Sequence, residues 1–253
     1  MTNKLKYFIG NWKMFGDFKS IKIPQQIHHF CIKFQRKHKN NKIILCVPSI
    51  LINFFSNNLK SNFVSIGAQN CSHNQNYGPY TGSTSAIMLK NAGAKYIILG
   101  HSENRIEGET NYIIKKKVEA ALNSNLKVIL CVGENLKEKA KGRTNLVLKK
   151  QLYQTVDKKF NLKNIIIAYE PMWSIGTGKI PTKNYLKKIF LLIKKDFKNK
   201  FKTKSSPKVL YGGSVNGKNI NLFSSLSEID GFLIGGASQS SKKFIDIIKN
   251  YYK

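Results

Sequence analysis

The chain has 253 residues, 42% of them hydrophobic, with 43 Lys and Arg against 13 Asp and Glu and a formal net charge of +30. The apolar share is ample for a core, no apolar stretch approaches the ~20 residues that span a bilayer, and Met1 to Gly10 lacks the form of a signal peptide, so a cytoplasmic protein with no membrane partner is expected. Cys31, Cys46, Cys71 and Cys131 are widely spaced, with no Cys-x-x-Cys pair and no zinc-type histidine pattern, so buried free thiols are expected and neither a disulfide framework nor a metal site is.

A short apolar run beginning near Tyr7 reads as the first strand, and apolar residues at helical spacing from Ile21 to Phe34 read as the helix after it. Ile43-Ile44-Leu45-Cys46-Val47 is a second, continuously apolar strand, followed by a polar connection around Asn57 to Asn62. Further strands begin near Phe63 and near Tyr96, and the latter contains Ile97-Ile98-Leu99. A helix from Ile113 to Leu122, a strand near Val128 and a helix from Leu146 to Val156 come next. The strand from Ile165 leads into a glycine-containing loop and a helix from Tyr185 to Phe197, entered after Pro181 with Thr182 as its cap. Ser102 suits the same capping role after His101. Ser205-Ser206-Pro207 is a local loop before the strand near Val209, another strand begins near Phe232, and Phe244 to Tyr251 forms the closing helix.

Eight strands alternate with helices, and strands that are apolar without alternation must be covered on both faces. The pattern predicts an α/β protein, a (β/α)8 barrel of eight parallel strands surrounded by helices, forming one domain over residues 1–253 with no linker. An open doubly wound sheet is the alternative.

The positive charge has a functional reading as affinity for polyanions, but its texture is almost all lysine, with only Arg36, Arg105 and Arg143 as arginines. Lysine is mixed with Asn and Ile along the whole chain, as at Lys115-Lys116-Lys117 and Lys187-Lys188. Solvated helix faces account for this, with no specific nucleic-acid partner and with nonspecific adhesion to polyanions at low salt as a by-product.

Groups suited to chemistry follow the strands at their C-terminal ends, which converge on one face of a barrel. Glu170, just past Ile165-Ile166-Ile167-Ala168, lies beside apolar packing and beneath a closable loop, a setting for general-base work, where the plainer reading is a solvated loop acid. His101 sits between a strand and a helix start, whose partial positive charge favours a neutral ring; a satisfied structural histidine is the competing reading. Lys13, in Gly10-Asn11-Trp12-Lys13, could stabilise negative charge developing on oxygen, or be one more surface lysine. Tyr211-Gly212-Gly213-Ser214-Val215 and Gly235-Gly236-Ala237-Ser238 bring backbone N–H groups close to an anion and read as a phosphate cradle or as two tight turns. Ser174 to Ile180 fails as a P-loop, because Trp173 stands where the first glycine belongs and Ile180 replaces the magnesium-binding hydroxyl.

These segments together resemble the triosephosphate isomerase family nearly end to end. The resemblance rests on Gly10 to Met14, Gly67-Ala68-Gln69-Asn70-Cys71, Ala94 to Glu103, Cys131-Val132-Gly133-Glu134, Ala168 to Lys179, Tyr211 to Val215 and Asp230 to Ser238. It implies a TIM barrel that interconverts dihydroxyacetone phosphate and glyceraldehyde 3-phosphate in glycolysis and gluconeogenesis, with no metal or organic cofactor. By the same resemblance Glu170 is the base, His101 the electrophile and proton shuttle, and Lys13 the electrostatic stabiliser, with Glu103 in support. Asn11 and Lys13 hold one end of the substrate, and Gly176, Ser214, Gly235 and Gly236 bind its phosphate. This family supplies one of the standard worked cases of a glutamate base paired with a neutral histidine under a closing loop.

The family is homodimeric, and the long loop Cys71 to Ser85 suits that assembly. Here Ser83 and Asn104 stand where many members carry an acid and an arginine paired between subunits, so both halves of that ion pair are absent together. Phe15 replaces a commonly polar residue near the same contact. Pro181 fixes its own φ and restricts Ile180, which implies a stiff C-terminal hinge for the lid.

Overall fold

The computed structural model describes residues 5–35 and 40–253; Arg36 lies outside them. Eight parallel strands close into a barrel in sequence order: β1 Lys6–Asn11, β2 Asn41–Cys46, β3 Val64–Ala68, β4 Tyr96–Leu99, β5 Lys127–Val132, β6 Ile165–Tyr169, β7 Lys208–Tyr211 and β8 Gly231–Ile234. Closure comes from β8 pairing back onto β1, in the register Tyr7 with Gly231 through Gly10 with Ile234. The open doubly wound sheet is thereby excluded.

Around the strands run α1 Lys22–Lys33, α2 Ser49–Asn58, α3 Ala86–Asn91, α4 Ser102–Ile106, α5 Asn111–Asn123, α6 Leu136–Ala140, α7 Thr144–Thr155, α8 Lys183–Phe201 and α9 Ser241–Tyr251. Alternate residues of each strand divide between two apolar clusters. Ile9, Ile44, Ile98, Ile129, Cys131, Ile166, Ala168, Leu210 and Leu233 fill the barrel interior, while Val128, Leu130, Val132, Ile165 and Ile167 pack outward against the helices. Both faces are therefore dry, which explains why these strands read as unbroken apolar runs. All four cysteines are free and buried, and burial pushes the Cys31 and Cys71 thiols up to about 12.

Two local expectations need correction. The stretch around Asn57 is not wholly a connection, because Asn57 and Asn58 complete α2, where the Asn58 side-chain amide donates to the Phe54 carbonyl. Ser102 is the first residue of α4 and not its cap. His101 takes that place, its Nδ1 accepting the Glu103 N–H at 3.3 Å. Thr182 does cap α8, accepting the Tyr185 N–H. Among the described residues no helix is long and apolar enough to cross a membrane, and no cluster of three His, Cys, Asp or Glu side chains could hold a metal ion.

Candidate active site

The C-terminal ends of the strands open onto a cavity of about 450 Å³. Asn11, Lys13, His101, Glu170, Gly176, Ser214, Gly235 and Gly236, the catalytic and substrate-binding residues expected from the sequence, line it, while the supporting Glu103 does not. They come from five separate parts of the barrel rim: the ends of β1 and β4, the end of β6 with the loop that follows it, and the loops after β7 and β8.

Glu170 is 3% exposed, held at the end of β6 by its own N–H, which donates to the Val132 carbonyl at 2.8 Å. Gly133 makes that approach feasible, since a Cβ there would stand 1.8 Å from the Glu170 carbonyl oxygen. The carboxylate accepts the Ser102 N–H at 3.2 Å through Oε2 and faces His101 Nε2 at 3.2 Å through Oε1. A buried carboxylate is thus supported by one backbone donor and one ring nitrogen, both close enough to let go when it moves.

Two influences compete at the His101 ring, whose Nδ1 already accepts the Glu103 N–H. Burial disfavours the imidazolium, yet the Glu170 carboxylate, through its charge and its hydrogen bond, and then Glu103 outweigh burial and raise the ring above its ordinary value in this arrangement. Displacing Glu170 from the ring removes the largest of the influences that raise it.

Lys13 adopts a left-handed backbone with φ of 55°, a conformation costly for a residue with a Cβ and concentrated at functional sites. Its N–H donates to Asn11 Oδ1 at 3.1 Å, and its ammonium meets Glu103 Oε1 at 2.5 Å. Asn11 and Glu103 thereby fix both ends of the lysine.

The segment from Pro171 to Pro181 bridges the cavity, with Gly176 and Gly178 at φ near +70°. Its first half is pinned through Trp173, whose Nε1 donates to Glu134 at 2.9 Å, while Lys139 in α6 sits over the indole ring. Glu134 is fully buried and also accepts the hydroxyls of Tyr169 and Tyr185, which holds the Tyr169 phenol far above its usual range through burial first and the carboxylate second. Ser214 donates its hydroxyl to the Ser174 carbonyl at 2.8 Å, so in this arrangement the side chain ties the β7 loop to the lid.

Residues 6–251 match the family profile of triosephosphate isomerase. The chain belongs to the triosephosphate isomerase family. Family members of known identity include the triosephosphate isomerase of Dictyoglomus thermophilum, 38% identical over 250 residues that cover 97% of this chain and 99% of that protein. The Saccharomyces cerevisiae enzyme is 36% identical over 249 residues, covering 96% and 98%. A crystal structure of triosephosphate isomerase from Bartonella henselae superposes with a TM-score of 0.88 at 34% identity, covering 98% of this chain and 99% of that one.

Several cavity residues were not singled out from the sequence. The Ser102 N–H against Glu170 is a backbone group that no residue type announces. Asn216, Leu233 and Lys243 also line the cavity; Asn216 lies one residue beyond the glycine motif, and Lys243 was hidden among many lysines. Glu134 was visible within a family motif, but its three donors lie on β6, the lid and α8 and become neighbours only on folding.

Proposed function

We propose that the chain is a single barrel domain catalysing the reversible isomerisation of glyceraldehyde 3-phosphate and dihydroxyacetone phosphate, in glycolysis and gluconeogenesis, in the cytoplasm. The observation that carries this reading is the meeting of Lys13, His101 and Glu170 in one cavity with two glycine-bearing loops, in a chain of this family. Glu170 leaves Ser102 and His101 to take a proton from the substrate carbon beside the carbonyl. The electrons move into an enediolate, and His101 donates a hydrogen bond to the carbonyl oxygen and carries protons between the two oxygens. Lys13 stabilises the charge that develops on oxygen, with Asn11 and Glu103 keeping it in place. Backbone N–H groups of Gly176, Gly235 and Gly236, with Ser214, hold the phosphate, and the lid keeps water from the intermediate. No metal or organic cofactor enters this chemistry.

The partner we propose is a second copy of the chain. Tyr77 and Tyr80, exposed on the loop after β3, and Met14, Phe15 and Phe18 after β1 supply the apolar surface for it, without the ion pair that Ser83 and Asn104 no longer form. Light scattering should give a dimer at micromolar concentration; an active monomer there refutes this assembly. For the activity, a coupled assay with glyceraldehyde 3-phosphate should show turnover that Glu170→Gln abolishes. A folded wild-type chain with no turnover sinks the reading.

A further inference from the structure

Lys243 stands in the first turn of α9, on the helix that follows the Gly235–Gly236 loop and the 3-10 turn Gly236–Gln239 and packs against that turn. A lysine at a surface helix means little in a chain with 43 Lys and Arg residues. This one differs because it lines the same cavity as Lys13 and Glu170.

The two cavity lysines are not equivalent. The Lys13 ammonium is already matched by Glu103 at 2.5 Å. No carboxylate of the described residues stands within ion-pair distance of Lys243. Its place along the helix points the same way. The start of a helix carries partial positive charge, and the first turn of α9 contains no acid to offset it. A cation there is unfavourable unless an anion shares the site. Helix start, glycine loop and unmatched ammonium therefore form one positive wall, opposite in character to the carboxylate that Glu170 presents to the same space.

We propose that Lys243 is a substrate-binding residue that contacts the phosphate and gives the cavity its preference for a dianionic over an uncharged hydroxyaldehyde. The proposal rests on the isomerase reading above and adds to it the residue that discriminates by charge. Backbone N–H groups alone orient a phosphate but carry no net charge; Lys243 adds an ammonium to that of Lys13, whose Cε would stand 3.7 Å from a Cβ at Gly235, and raises the local concentration of the dianion.

The test compares wild type, Lys243→Met and Lys243→Arg on glyceraldehyde 3-phosphate and on uncharged glyceraldehyde, with inorganic phosphate as a competitive inhibitor. A charge-assisted contact of this kind corresponds to about a tenfold change in binding. Lys243→Met should raise both KM for the phosphorylated substrate and the phosphate inhibition constant by about that factor, with kcat within about twofold. The loss on uncharged glyceraldehyde should be much smaller, and Lys243→Arg should recover most of the discrimination. Added salt should erode the wild-type kcat/KM more steeply than that of Lys243→Met. An unchanged ratio between the two substrates, or an equal loss on both, overturns the proposal. If Lys243→Met does not fold, Lys243→Gln serves the same comparison. Failure of the isomerase reading would show separately as absent turnover in wild type, and phosphate binding to wild type and variant by calorimetry would then still decide the role of Lys243.

Discussion

Replacing Gly212 by alanine tests whether the position of Glu170 limits turnover. Gly212 has no left-handed backbone, so an alanine there meets only a steric obstacle. Its Cβ would stand 2.8 Å from Glu170 Cγ and 3.4 Å from both Glu170 Oε1 and the Tyr169 carbonyl oxygen. Ordinary carbon–carbon contact is about 3.5–4.0 Å, so the glutamate arm must retreat by roughly 0.7–1 Å. The Ser102 N–H and His101 Nε2 contacts, each 3.2 Å, would stretch beyond hydrogen-bonding reach. A misplacement of about 1 Å at a reacting group can cost on the order of 100-fold, and with the strain shared by neighbours we expect kcat to fall by about 10- to 100-fold. Steady-state kinetics in both directions measures this, with inhibition by inorganic phosphate showing that the adjoining phosphate loop is intact. Turnover within about twofold of wild type, in a variant with the same melting temperature, refutes the idea that this packing aims the base.

Three further outcomes are expected. Glu170→Asp shortens the arm by one methylene, about 1 Å, and should slow turnover by about 100-fold while keeping phosphate inhibition; near-normal kcat would overturn the role of the carboxylate. His101 has a raised pKa in the folded chain, so its contribution to stability is fully present below its ordinary value of 6.5 and is lost as pH rises through the folded value. The melting temperature of wild type relative to His101→Gln should accordingly be most favourable in mildly acidic solution, and a gap that widens toward alkaline pH contradicts the pairing with Glu170. Glu134→Ala strands three donors, on Tyr169, Trp173 and Tyr185, and should cost about 2–4 kcal/mol in urea unfolding; a loss under about 1 kcal/mol would show that water replaces the carboxylate without penalty.

The barrel was legible because its strands, dry on both faces, show up as β-branched runs such as Ile165-Ile166-Ile167, and because Thr182 marks a helix start by side-chain chemistry alone. Three helices were not read. In α2 the run Ile50-Leu51-Ile52 with Phe54-Phe55 is too continuously apolar to show a period, and Ile50 is in fact exposed. In α3 six residues, and in α6 five, make under two turns. The residues that line the cavity were legible where a motif carries the side chain at a strand end, as with His101 and Glu170. The upward pull on the His101 ring was not, because it depends on a carboxylate 69 positions away in sequence, brought to 3.2 Å only by barrel closure. Local reasoning saw the helix start and missed the neighbour.

The chain has two tryptophans, and the fold places them in opposite circumstances. Trp12 is fully buried, edge-on to Phe15 and Phe55, and its indole N–H has no partner among the described residues. Trp173 belongs to the lid, half-buried, with a carboxylate on its N–H and an ammonium over its ring. Emission from Trp12 should consequently be blue-shifted and constant, whereas that from Trp173 should be quenched and sensitive to any rearrangement of the lid. A Trp12→Phe enzyme would carry a native optical reporter of loop closure, read by stopped flow without attached dye.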